Sequence, residues 1–441
     1  MLRNIFGTDG IRGLANRGYI TPDNMIKLSI AISRYYHKKY NRELKIIIGK
    51  DTRISCYMLE ASLTAGFTSC GDNVVLLGPM PTPSVSFLTK SMRADVGVMI
   101  SASHNPYHDN GIKLFNCDGF KLTNEDEIGI SSIFFDDCGV VGEAINANLG
   151  KVKRLEDVAG RYIEFCKNSF PRNMNLGGIR MVLDLANGSA YKIAPQVFWE
   201  LGAEVMAINV NPDGYNINAS CGATDPKSLQ RTVVSKRADI GIALDGDGDR
   251  IIVVDENGAI VDGDYIIATI ATYWLNNGKL KTNNVVATTM SNMQLYNYLE
   301  SIGLKMHWCD VGDKNVAAKM LGVGAVIGGE KSGHVIPIKY TSTGDGIIAA
   351  LQILAYLVDG NKKASDISKI YKPYPQIFFN IHSVLSDDDL DKIRSCVESL
   401  GIDGKHRIIA RRSGTESVTR IMIEGENLDI AEKIAQAVEV F

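Results

Sequence analysis

The sequence has little that would assign it to a structural class at once. Its 441 residues include eight cysteines but no Cys-x-x-Cys pair, which argues against a zinc site or a disulfide framework and favours reduced, buried thiols. The longest apolar stretch, residues 347–358, is far shorter than the roughly 20 residues that span a bilayer. The start lacks a basic segment followed by an apolar one. We therefore expect no signal peptide and a cytoplasmic protein.

Neither sign of charge dominates. Lys and Arg together number 47 and Asp and Glu number 50, for a formal charge of −3. General nucleic-acid binders are usually basic, so we expect a small-molecule ligand, no nucleic acid or membrane as partner, and local recognition of any anion. With 45% hydrophobic and 22% charged residues, the composition is that of a folded globular protein.

A strand–helix–strand pattern recurs three times along the chain. In each copy, a second apolar strand leads into a polar, glycine-rich loop. These second strands are predicted at residues 95–100, 239–244 and 324–327, and the loops after them at 101–106, 245–250 and 328–334. Open α/β sheets bind ligands beyond the carboxyl ends of their strands. The three loops therefore predict one site assembled from three domains.

After about residue 371 the pattern changes to one typical of a smaller α+β domain. The length also fits three domains of about 150 residues and a small fourth. We therefore predict three similar α/β domains with mixed sheets, a smaller α+β C-terminal domain, and an active site in the central cleft. The predicted domains are 1–150 with the serine loop, 151–257 with the acidic loop, 258–370 with the third loop, and 371–441.

The acidic loop carries Asp245, Asp247 and Asp249, separated by single glycines. Alternate residues of an extended segment project the same way, so three carboxylates can converge on one cation, and such hard oxygen ligands suit Mg²⁺. The alternatives are a calcium-binding helix–loop–helix, a phosphatase of the haloacid-dehalogenase type, and a surface turn without metal. The calcium motif fits poorly, because Arg250 stands where that motif needs glycine and both flanks are predicted strands.

The serine loop offers two hydroxyls, those of Ser101 and Ser103. Either serine could be a nucleophile or a phosphate carrier. His104 could polarise the neighbouring hydroxyl, although adjacent residues rarely align for general-base catalysis. A phosphoserine close to a bound Mg²⁺ would have its charge neutralised. The residues alone leave open which serine acts.

Two further loops carry polar groups suited to a ligand. Residues 411–415 combine guanidinium, hydroxyl and amide donors that can bind a phosphate. Residues 330–334 offer a carboxylate, a hydroxyl and an imidazole that suit the hydroxyls of a polyol. Together the four loops predict phosphoryl transfer on a sugar, with one loop each for metal, transferable group, sugar hydroxyls and a second phosphate.

Over essentially its whole length the chain resembles the α-D-phosphohexomutases. The motifs that carry this resemblance are, in chain order, residues 6–13 (Phe-Gly-Thr-Asp-Gly-Ile-Arg-Gly), 101–106, 110–113 (Asn-Gly-Ile-Lys), 245–250, 330–334 and 411–416. The opening motif and residues 289–293 favour the branch of the family that acts on glucosamine phosphates. Its product would feed the synthesis of nucleotide amino sugars and cell-wall precursors.

The resemblance implies that Ser103 is the phosphorylated serine. As phosphoserine it would donate its phosphoryl group to the sugar, and the bisphosphorylated sugar would reorient and return its other phosphate. The resemblance also implies one Mg²⁺ per chain, held by Ser103, Asp245, Asp247 and Asp249. A hexosamine or hexose 1,6-bisphosphate would act as activator.

The same resemblance assigns roles to further residues. Arg12 and Lys113, with His104, would lie at the reacting groups. Arg12 would stabilise charge, and Lys113 would transfer protons if burial and cationic neighbours lower its pKa. The residues expected to bind substrate are Glu330, Ser332 and His334 for the sugar hydroxyls, Arg411, Ser413, Gly414 and Thr415 for the distal phosphate, and also Arg250 and Lys314.

Two lysines depart from the pattern of the glucosamine branch. Lys331 stands where that branch usually has glutamine, and Lys314 replaces a usual arginine. An ammonium close to a 2-amino group would be unfavourable, so the sister branches that act on mannose or glucose phosphates stay open. Alternatives of another class are a metal-dependent sugar phosphatase and a silent phosphosugar-binding protein. We expect a monomer or a homodimer.

Overall fold

The computed structural model of the chain describes residues 4–7, 9–136, 148–381, 385–399, 405–412 and 418–438. Three α/β domains and a smaller C-terminal domain follow one another, as predicted, and each has its own sheet. Among the described residues, no helix combines the length and apolar composition that a bilayer span requires.

The first domain is built on a six-stranded mixed sheet. Its elements are β1 (Ile11–Leu14), α1 (Pro22–Tyr40), β2 (Lys45–Lys50), α2 (Cys56–Ser69), β3 (Asn73–Pro79), α3 (Thr82–Ser91), β4 (Val96–Ile100), β5 (Asp109–Asn116), α4 (Asn124–Phe135) and β6 (Val152–Arg154). The strand order is β1-β5-β4-β2-β3-β6. Strands β2, β3, β4 and β6 are parallel, and β5 runs antiparallel to both β4 and β1.

The second domain repeats this plan on a five-stranded sheet. Its elements are α5 (Ala159–Lys167), β7 (Arg180–Asp184), α6 (Ile193–Glu200), β8 (Glu204–Ile208), α7 (Lys227–Lys236), β9 (Ile240–Leu244), β10 (Ile251–Asp255) and β11 (Ile260–Val261). The strand order is β11-β10-β9-β7-β8.

The third domain has a four-stranded sheet. Its elements are α8 (Gly263–Asn276), β12 (Asn284–Thr288), α9 (Met293–Ser301), β13 (Lys305–Cys309), α10 (Asp313–Val323), β14 (Ile327–Gly329), β15 (Val335–Pro337), α11 (Gly346–Asp359) and a 3₁₀ helix (Ala364–Lys369). The strand order is β13-β12-β14-β15. Its apolar residues share one continuous core with those of the second domain and one part of the first.

The three sheets share one four-strand arrangement, which confirms the predicted repeat. The orders β3-β2-β4-β5, β8-β7-β9-β10 and β13-β12-β14-β15 each contain three parallel strands followed by one antiparallel strand. In every copy, the loop with the chemical motif joins the last parallel strand to the antiparallel one. The serine, acidic and third loops therefore occupy equivalent positions in their domains.

One predicted strand is displaced along the chain. The sequence predicts a strand at residues 324–327, but β14 begins at Ile327. Helix α10 runs to Val323, and Gly324 ends it in the left-handed conformation, with φ 67°. The amide of Ala325 then bonds to the carbonyl of Met320 at 2.9 Å, so the helix C-cap uses residues that the apolar pattern favours for a strand.

The C-terminal domain is a three-stranded antiparallel sheet covered by two helices. Its elements are β16 (Gln376–Ile381), α12 (Asp387–Ser399), β17 (His406–Arg412), β18 (Thr419–Gly425) and α13 (Leu428–Val438), and the strand order is β16-β18-β17. It has its own apolar core. It contacts the third domain at the N-terminus of α9, where the amide of Met293 donates to Glu424 Oε1 at 2.9 Å.

Helix α11 begins at a fully buried aspartate. Asp345 Oδ1 accepts from the amide of Ile348 at 2.9 Å, and Oδ2 accepts from the hydroxyl of Tyr162 at 2.7 Å. Burial raises the pKa of Asp345 to about 6, although both hydrogen bonds oppose the shift. Between about pH 4 and pH 6 the folded chain therefore holds a proton that the unfolded chain has lost. The stabilisation from that proton is lost as the pH rises through 6.

Asp345→Asn should make the metal-free protein less sensitive to pH. Asparagine caps helices well and carries no charge, so it avoids a cost of about 3 kcal/mol at neutral pH. We expect the variant to melt a few degrees above the wild type at pH 7.5, with the difference smaller or reversed at pH 5. Thermal melts at both pH values would measure this, with the exposed Asp157→Asn as control. Equal pH dependence in both proteins would contradict it.

Candidate active site

The three equivalent loops converge on one place. The acidic and third loops meet through a pair of antiparallel bridge residues, Arg250 and His334. The acidic and serine loops meet where Ser103 Oγ donates to Asp245 Oδ2 at 2.7 Å. Corresponding ends of three sheets thus contribute to a single site.

Ser103 is buried and has φ 53°, a left-handed conformation that costs energy for a residue other than glycine. Its amide donates to Ser101 Oγ at 2.9 Å, and Ser101 Oγ donates to Asp51 Oδ2 at 2.7 Å. The Ser101 hydroxyl therefore supports the loop. Ser103 Oγ instead faces Asp245 Oδ2 and, at 3.2 Å, His104 Nδ1. Of the two serines, Ser103 is the one whose hydroxyl reaches the acidic loop.

A buried arginine holds the serine loop in this conformation. Arg53, with no exposed surface, donates to the carbonyl oxygens of Ser103 and Asn105, both at 2.8 Å, and pairs with Asp51 at 2.8 Å. Asn218 of the second domain donates to the same Ser103 carbonyl at 2.9 Å. Several donors to one strained segment over-determine its conformation, so the Ser103 hydroxyl has a defined direction.

Asp245, Asp247 and Asp249 form a buried cluster in which one carboxylate oxygen from each lies within 4.8 Å of the others. Oδ1 of Asp247 and Oδ1 of Asp249 are buried and find no hydrogen-bond partner among the residues that the structure describes. Burial, followed by the charges of Asp249 and Asp247, raises the pKa of Asp245 well above its ordinary value. Buried carboxylate oxygens that lack a donor are costly, so this cluster fits a hard divalent cation. The flanking elements are strands β9 and β10, which contradicts the helix–loop–helix alternative.

Lys113 lies against the acidic loop from the first domain. Its Nζ is 2.8 Å from Asp247 Oδ2, 2.8 Å from Asp249 Oδ2 and 3.4 Å from Asp9 Oδ2. Burial lowers the pKa of Lys113, but these three carboxylates outweigh burial and raise it well above its ordinary value. The lowered pKa that was the condition for proton transfer by Lys113 is therefore not found in this arrangement, because carboxylates outnumber the cationic neighbours. A lysine in this state can donate a proton or stabilise negative charge.

Arg12 reaches the same side of the site from strand β1, which pairs with β5 and brings Arg12 opposite Gly111. Its guanidinium contacts the carboxylate of Asp9. Burial lowers the pKa of Arg12, but Asp9, Asp247 and Asp249 raise it, with a net increase. Arg12 is thus a permanent cation beside the acidic loop.

The imidazole of His104 is uncharged at neutral pH. Burial, then the nearby cations Arg250 and Arg12, lowers the pKa of His104 to about 3. Its Nδ1 lies 3.2 Å from Ser103 Oγ. The ring can therefore exchange a hydrogen bond with the serine but carries no positive charge there.

The third loop contributes a carboxylate, that of Glu330, and an imidazole, that of His334, to the site. Glu330 Oε1 accepts from the amide of Gly312 at 2.9 Å, and Ser332 Oγ lies 3.4 Å from Glu330 Oε2. The two ring nitrogens of His334 are buried, and the described part of the chain gives them no hydrogen-bond partner. Asp313 Oδ2 is 3.7 Å from His334 Nε2. These groups can bind hydroxyls that the protein itself does not supply.

Comparison with known proteins decides the family. Residues 3–138, 160–258 and 262–374 match the families described as Phosphoglucomutase/phosphomannomutase, alpha/beta/alpha domains I, II and III, respectively. A phosphoglucosamine mutase of Zymomonas mobilis is 49% identical over 439 residues, which cover 98% of this chain and 97% of that protein. One of Paracoccus denitrificans is 46% identical over 450 residues, with 100% and 99% covered. The chain belongs to the α-D-phosphohexomutase family.

Solved structures share the fold. A Phosphoglucomutase/phosphomannomutase family protein of Burkholderia thailandensis has a TM-score of 0.82 at 22% identity and covers 100% of this chain and 97% of its own. The N-acetylphosphoglucosamine mutase of Aspergillus fumigatus, solved with GlcNAc-6P and magnesium, has a TM-score of 0.67 at 18% identity, with 99% and 96% covered. At 22% and 18% identity, these two matches show only that the chain shares the phosphohexomutase fold.

The structure does not bring every predicted site residue to these loops. The side chain of Lys314 reaches away to the first domain, where Nζ lies 2.8 Å from Glu127 Oε2. Arg411 is in strand β17, opposite Arg420 of β18. Ser413, Gly414 and Thr415 lie outside the described residues.

Lys331, in the third loop, is directed to the C-terminal domain. Its ammonium donates to Gln376 Oε1 of strand β16 and lies 3.8 Å from Asp262 Oδ2. The ring of Phe378, also in β16, is 5.9 Å from Lys331 Nζ. The ammonium of Lys331 therefore contacts groups of the protein itself, two polar and one aromatic.

Sequence reasoning missed residues that join the loops together. Asp9 contacts Arg12 and Lys121, and Lys121 also contacts Asp313 of the third domain. Asp9 stands within the opening motif, so the motif itself was the available signal. Thr82, which donates to Asp247, had no comparable signal.

Proposed function

We propose that this member of the family is a phosphoglucosamine mutase, which interconverts glucosamine 6-phosphate and glucosamine 1-phosphate. The observation that carries the proposal is the 46–49% identity to phosphoglucosamine mutases over 97–100% of the chain. The buried serine bonded to the acidic loop, with Lys113 in contact with the same loop and Arg12 nearby, agrees with phosphoryl transfer.

Ser103 would carry the transferred group. The bond from phosphorus to Ser103 Oγ breaks as a bond forms to a free hydroxyl of the sugar, which loses its proton to a base of the site. The bisphosphorylated sugar then reorients and returns its other phosphate to Ser103. Lys113 would supply a proton to the departing serine oxygen, and Arg12 would stabilise the negative charge of the phosphoryl group. A hexosamine or hexose 1,6-bisphosphate would start the cycle by phosphorylating Ser103.

The donor set fits Mg²⁺ as the metal. Asp245, Asp247 and Asp249 would hold it together with an oxygen of phosphorylated Ser103, since two of these carboxylates keep a buried oxygen that lacks a donor within the described ranges. When bound, Mg²⁺ would neutralise charge on the phosphoryl group that is being transferred.

The remaining loops would hold the rest of the substrate. Glu330, Ser332 and His334 would bind sugar hydroxyls. The ring nitrogens of His334, which have no hydrogen-bond partner in the described part of the chain, support this role. Arg250, beside His334, would contact the substrate between the two loops. The residues proposed for the distal phosphate are Arg411, Ser413, Gly414 and Thr415.

Lys331→Gln is expected to change sugar preference little. The ammonium of Lys331 contacts Gln376 and Asp262, and glutamine can still donate a hydrogen bond to Gln376. We expect the ratio of kcat/KM for glucosamine 6-phosphate to that for glucose 6-phosphate to stay within about threefold of wild type, less than 1 kcal/mol. Steady-state kinetics with both sugars would test this. A tenfold gain in glucosamine preference would show that the ammonium acts on the substrate.

Phosphorus NMR tests the proposed function directly. The purified protein would be incubated with Mg²⁺, a trace of the matching 1,6-bisphosphate, and glucosamine, glucose or mannose 6-phosphate in separate tubes. The proposal expects fastest formation of glucosamine 1-phosphate, in stoichiometric amount. Faster turnover of mannose or glucose phosphate would instead make the protein a phosphomannomutase/phosphoglucomutase.

The same spectra separate the other classes of function. A metal-dependent sugar phosphatase would release inorganic phosphate at the rate at which substrate disappears. A phosphosugar-binding protein without catalytic activity would convert no substrate, so the intensity of the substrate's phosphorus signal would not decrease and no product signal would form. Either outcome would overturn the proposal.

A further inference from the structure

Thr82 of the first domain makes two hydrogen bonds to Asp247 of the acidic loop. Thr82 is the first residue of α3 and has no exposed surface. Its Oγ1 donates to Asp247 Oδ2 at 2.6 Å, and its amide donates to the backbone carbonyl of Asp247 at 2.8 Å. One residue therefore restrains both the main chain and the side chain of Asp247.

These contacts leave the two oxygens of the Asp247 carboxylate in different environments. Oδ2 accepts from Thr82 Oγ1 and also from Lys113 Nζ at 2.8 Å. Oδ1 is buried, and the described residues provide it with no donor. The terminal torsion of an aspartate is broad and roughly two-fold, so the donors on Oδ2 determine which oxygen stays free and where it points.

We propose that Thr82 is a positioning residue of the metal site, whose hydroxyl holds Asp247 Oδ2 so that Oδ1 remains available to a divalent cation. The inference rests on the proposed function only in taking Asp247 as a metal ligand. Thr82 belongs to the first domain and Asp247 to the second. Metal affinity therefore depends on the contact between these domains as well as on the acidic loop.

Loss of the Thr82 hydroxyl would change the contact between the Lys113 ammonium and the Asp247 carboxylate. With Thr82 bonded to Oδ2, the ammonium shares that oxygen and reaches Asp249 Oδ2 at the same time. Without Thr82, the carboxylate can rotate and present both oxygens to the ammonium, which then competes with the cation. Residues that orient metal ligands typically contribute about 10- to 100-fold to metal affinity, and we expect a loss in that range.

The test is a calorimetric titration of the full-length, unphosphorylated protein with Mg²⁺. Thr82→Val keeps the shape of the side chain and the backbone bond but removes the donor, whereas Thr82→Ser restores a hydroxyl. We expect Mg²⁺ binding about 10- to 100-fold weaker for Thr82→Val and within about threefold of wild type for Thr82→Ser. Thr89→Val is the control, because Thr89 is equally buried in α3 but donates to the Val85 carbonyl.

Melting without metal separates positioning from folding. A purely structural role would lower the melting temperature and leave the affinity of the folded protein for Mg²⁺ unchanged, which would overturn the proposal. If Thr82→Val does not fold, Thr82→Ala removes the same donor with a smaller side chain and decides in the same way. Asp247→Asn is the reference. If Asp247→Asn binds Mg²⁺ with wild-type affinity, Asp247 is not a metal ligand and the premise fails. If Asp247→Asn binds Mg²⁺ weakly but Thr82→Val binds it normally, only the inference about Thr82 is refuted.

Discussion

Replacement of Ser103 by alanine is expected to reduce the interconversion of sugar phosphates by about 10⁴-fold or more, because the phosphoryl carrier is lost. The substitution leaves the loop in place. The amide of residue 103 can still donate to Ser101 Oγ, and its carbonyl can still accept from Arg53 and Asn218. Alanine and serine also bear a similar cost for the left-handed conformation. The loss would therefore report the hydroxyl itself.

Two measurements would establish this result. Phosphorus NMR gives the turnover, and the intact mass after incubation with hexose 1,6-bisphosphate shows whether one phosphoryl group has been added. Ser101→Ala is the matched variant, since it disturbs the bonds to Ser103 and Asp51 but keeps the carrier. We expect it to take up the phosphoryl group and to lose only about tenfold in rate. Turnover near the wild-type level in Ser103→Ala would exclude the phosphoserine mechanism.

The repeated architecture could be predicted because each loop follows a buried strand of regular pattern. The acidic loop comes directly after β9 and the serine loop directly after β4, and both strands are continuous apolar runs. Period and composition identify such strands without knowledge of distant contacts. The third strand was misplaced by three residues, because a glycine C-cap of the preceding helix is a local event that the apolar pattern does not register.

The charge state of the site could not be predicted in the same way. The sequence left open whether the pKa of Lys113 is lowered, and in the structure the carboxylates of Asp247, Asp249 and Asp9 raise it. Asp9 and the acidic loop both lie far from Lys113 in the sequence, and the distances of their carboxylates from Nζ decide the sign of the shift. Motifs identify the participants in such a cluster but do not reveal which charges are in contact.

Like the charge state, the direction of a side chain could not be predicted from the sequence. From its position in the third loop, Lys331 could place a charge beside the sugar. Its contact with Gln376, 45 residues away in the sequence, shows that the side chain is directed to the C-terminal domain instead. Thr82 illustrates the same limit, since 165 residues separate it from Asp247. No local pattern marks a threonine at the start of a helix as part of a site in the next domain.

Asp247→Asn is expected to weaken Mg²⁺ binding by about 100-fold or more and to lower turnover at fixed Mg²⁺ accordingly. The side chain of asparagine has only one oxygen, which cannot both accept from Thr82 and Lys113 and bind the cation. If that oxygen accepts from Thr82 and Lys113, as Oδ2 does now, the amide NH₂ group is presented where the cation would bind. If the oxygen turns to the cation, the hydroxyl and the buried ammonium lose their acceptor.

Calorimetric titration and the dependence of rate on Mg²⁺ concentration would measure both effects. Asp255→Asn is a suitable control, because Asp255 is also buried in the second domain but its Oδ1 accepts from the amides of Asn257 and Ala259. We expect its Mg²⁺ affinity to match wild type. If Asp247→Asn bound Mg²⁺ like wild type, Asp247 would be excluded as a ligand. Its carboxylate would then serve to neutralise Lys113, and the free Oδ1 would need another explanation.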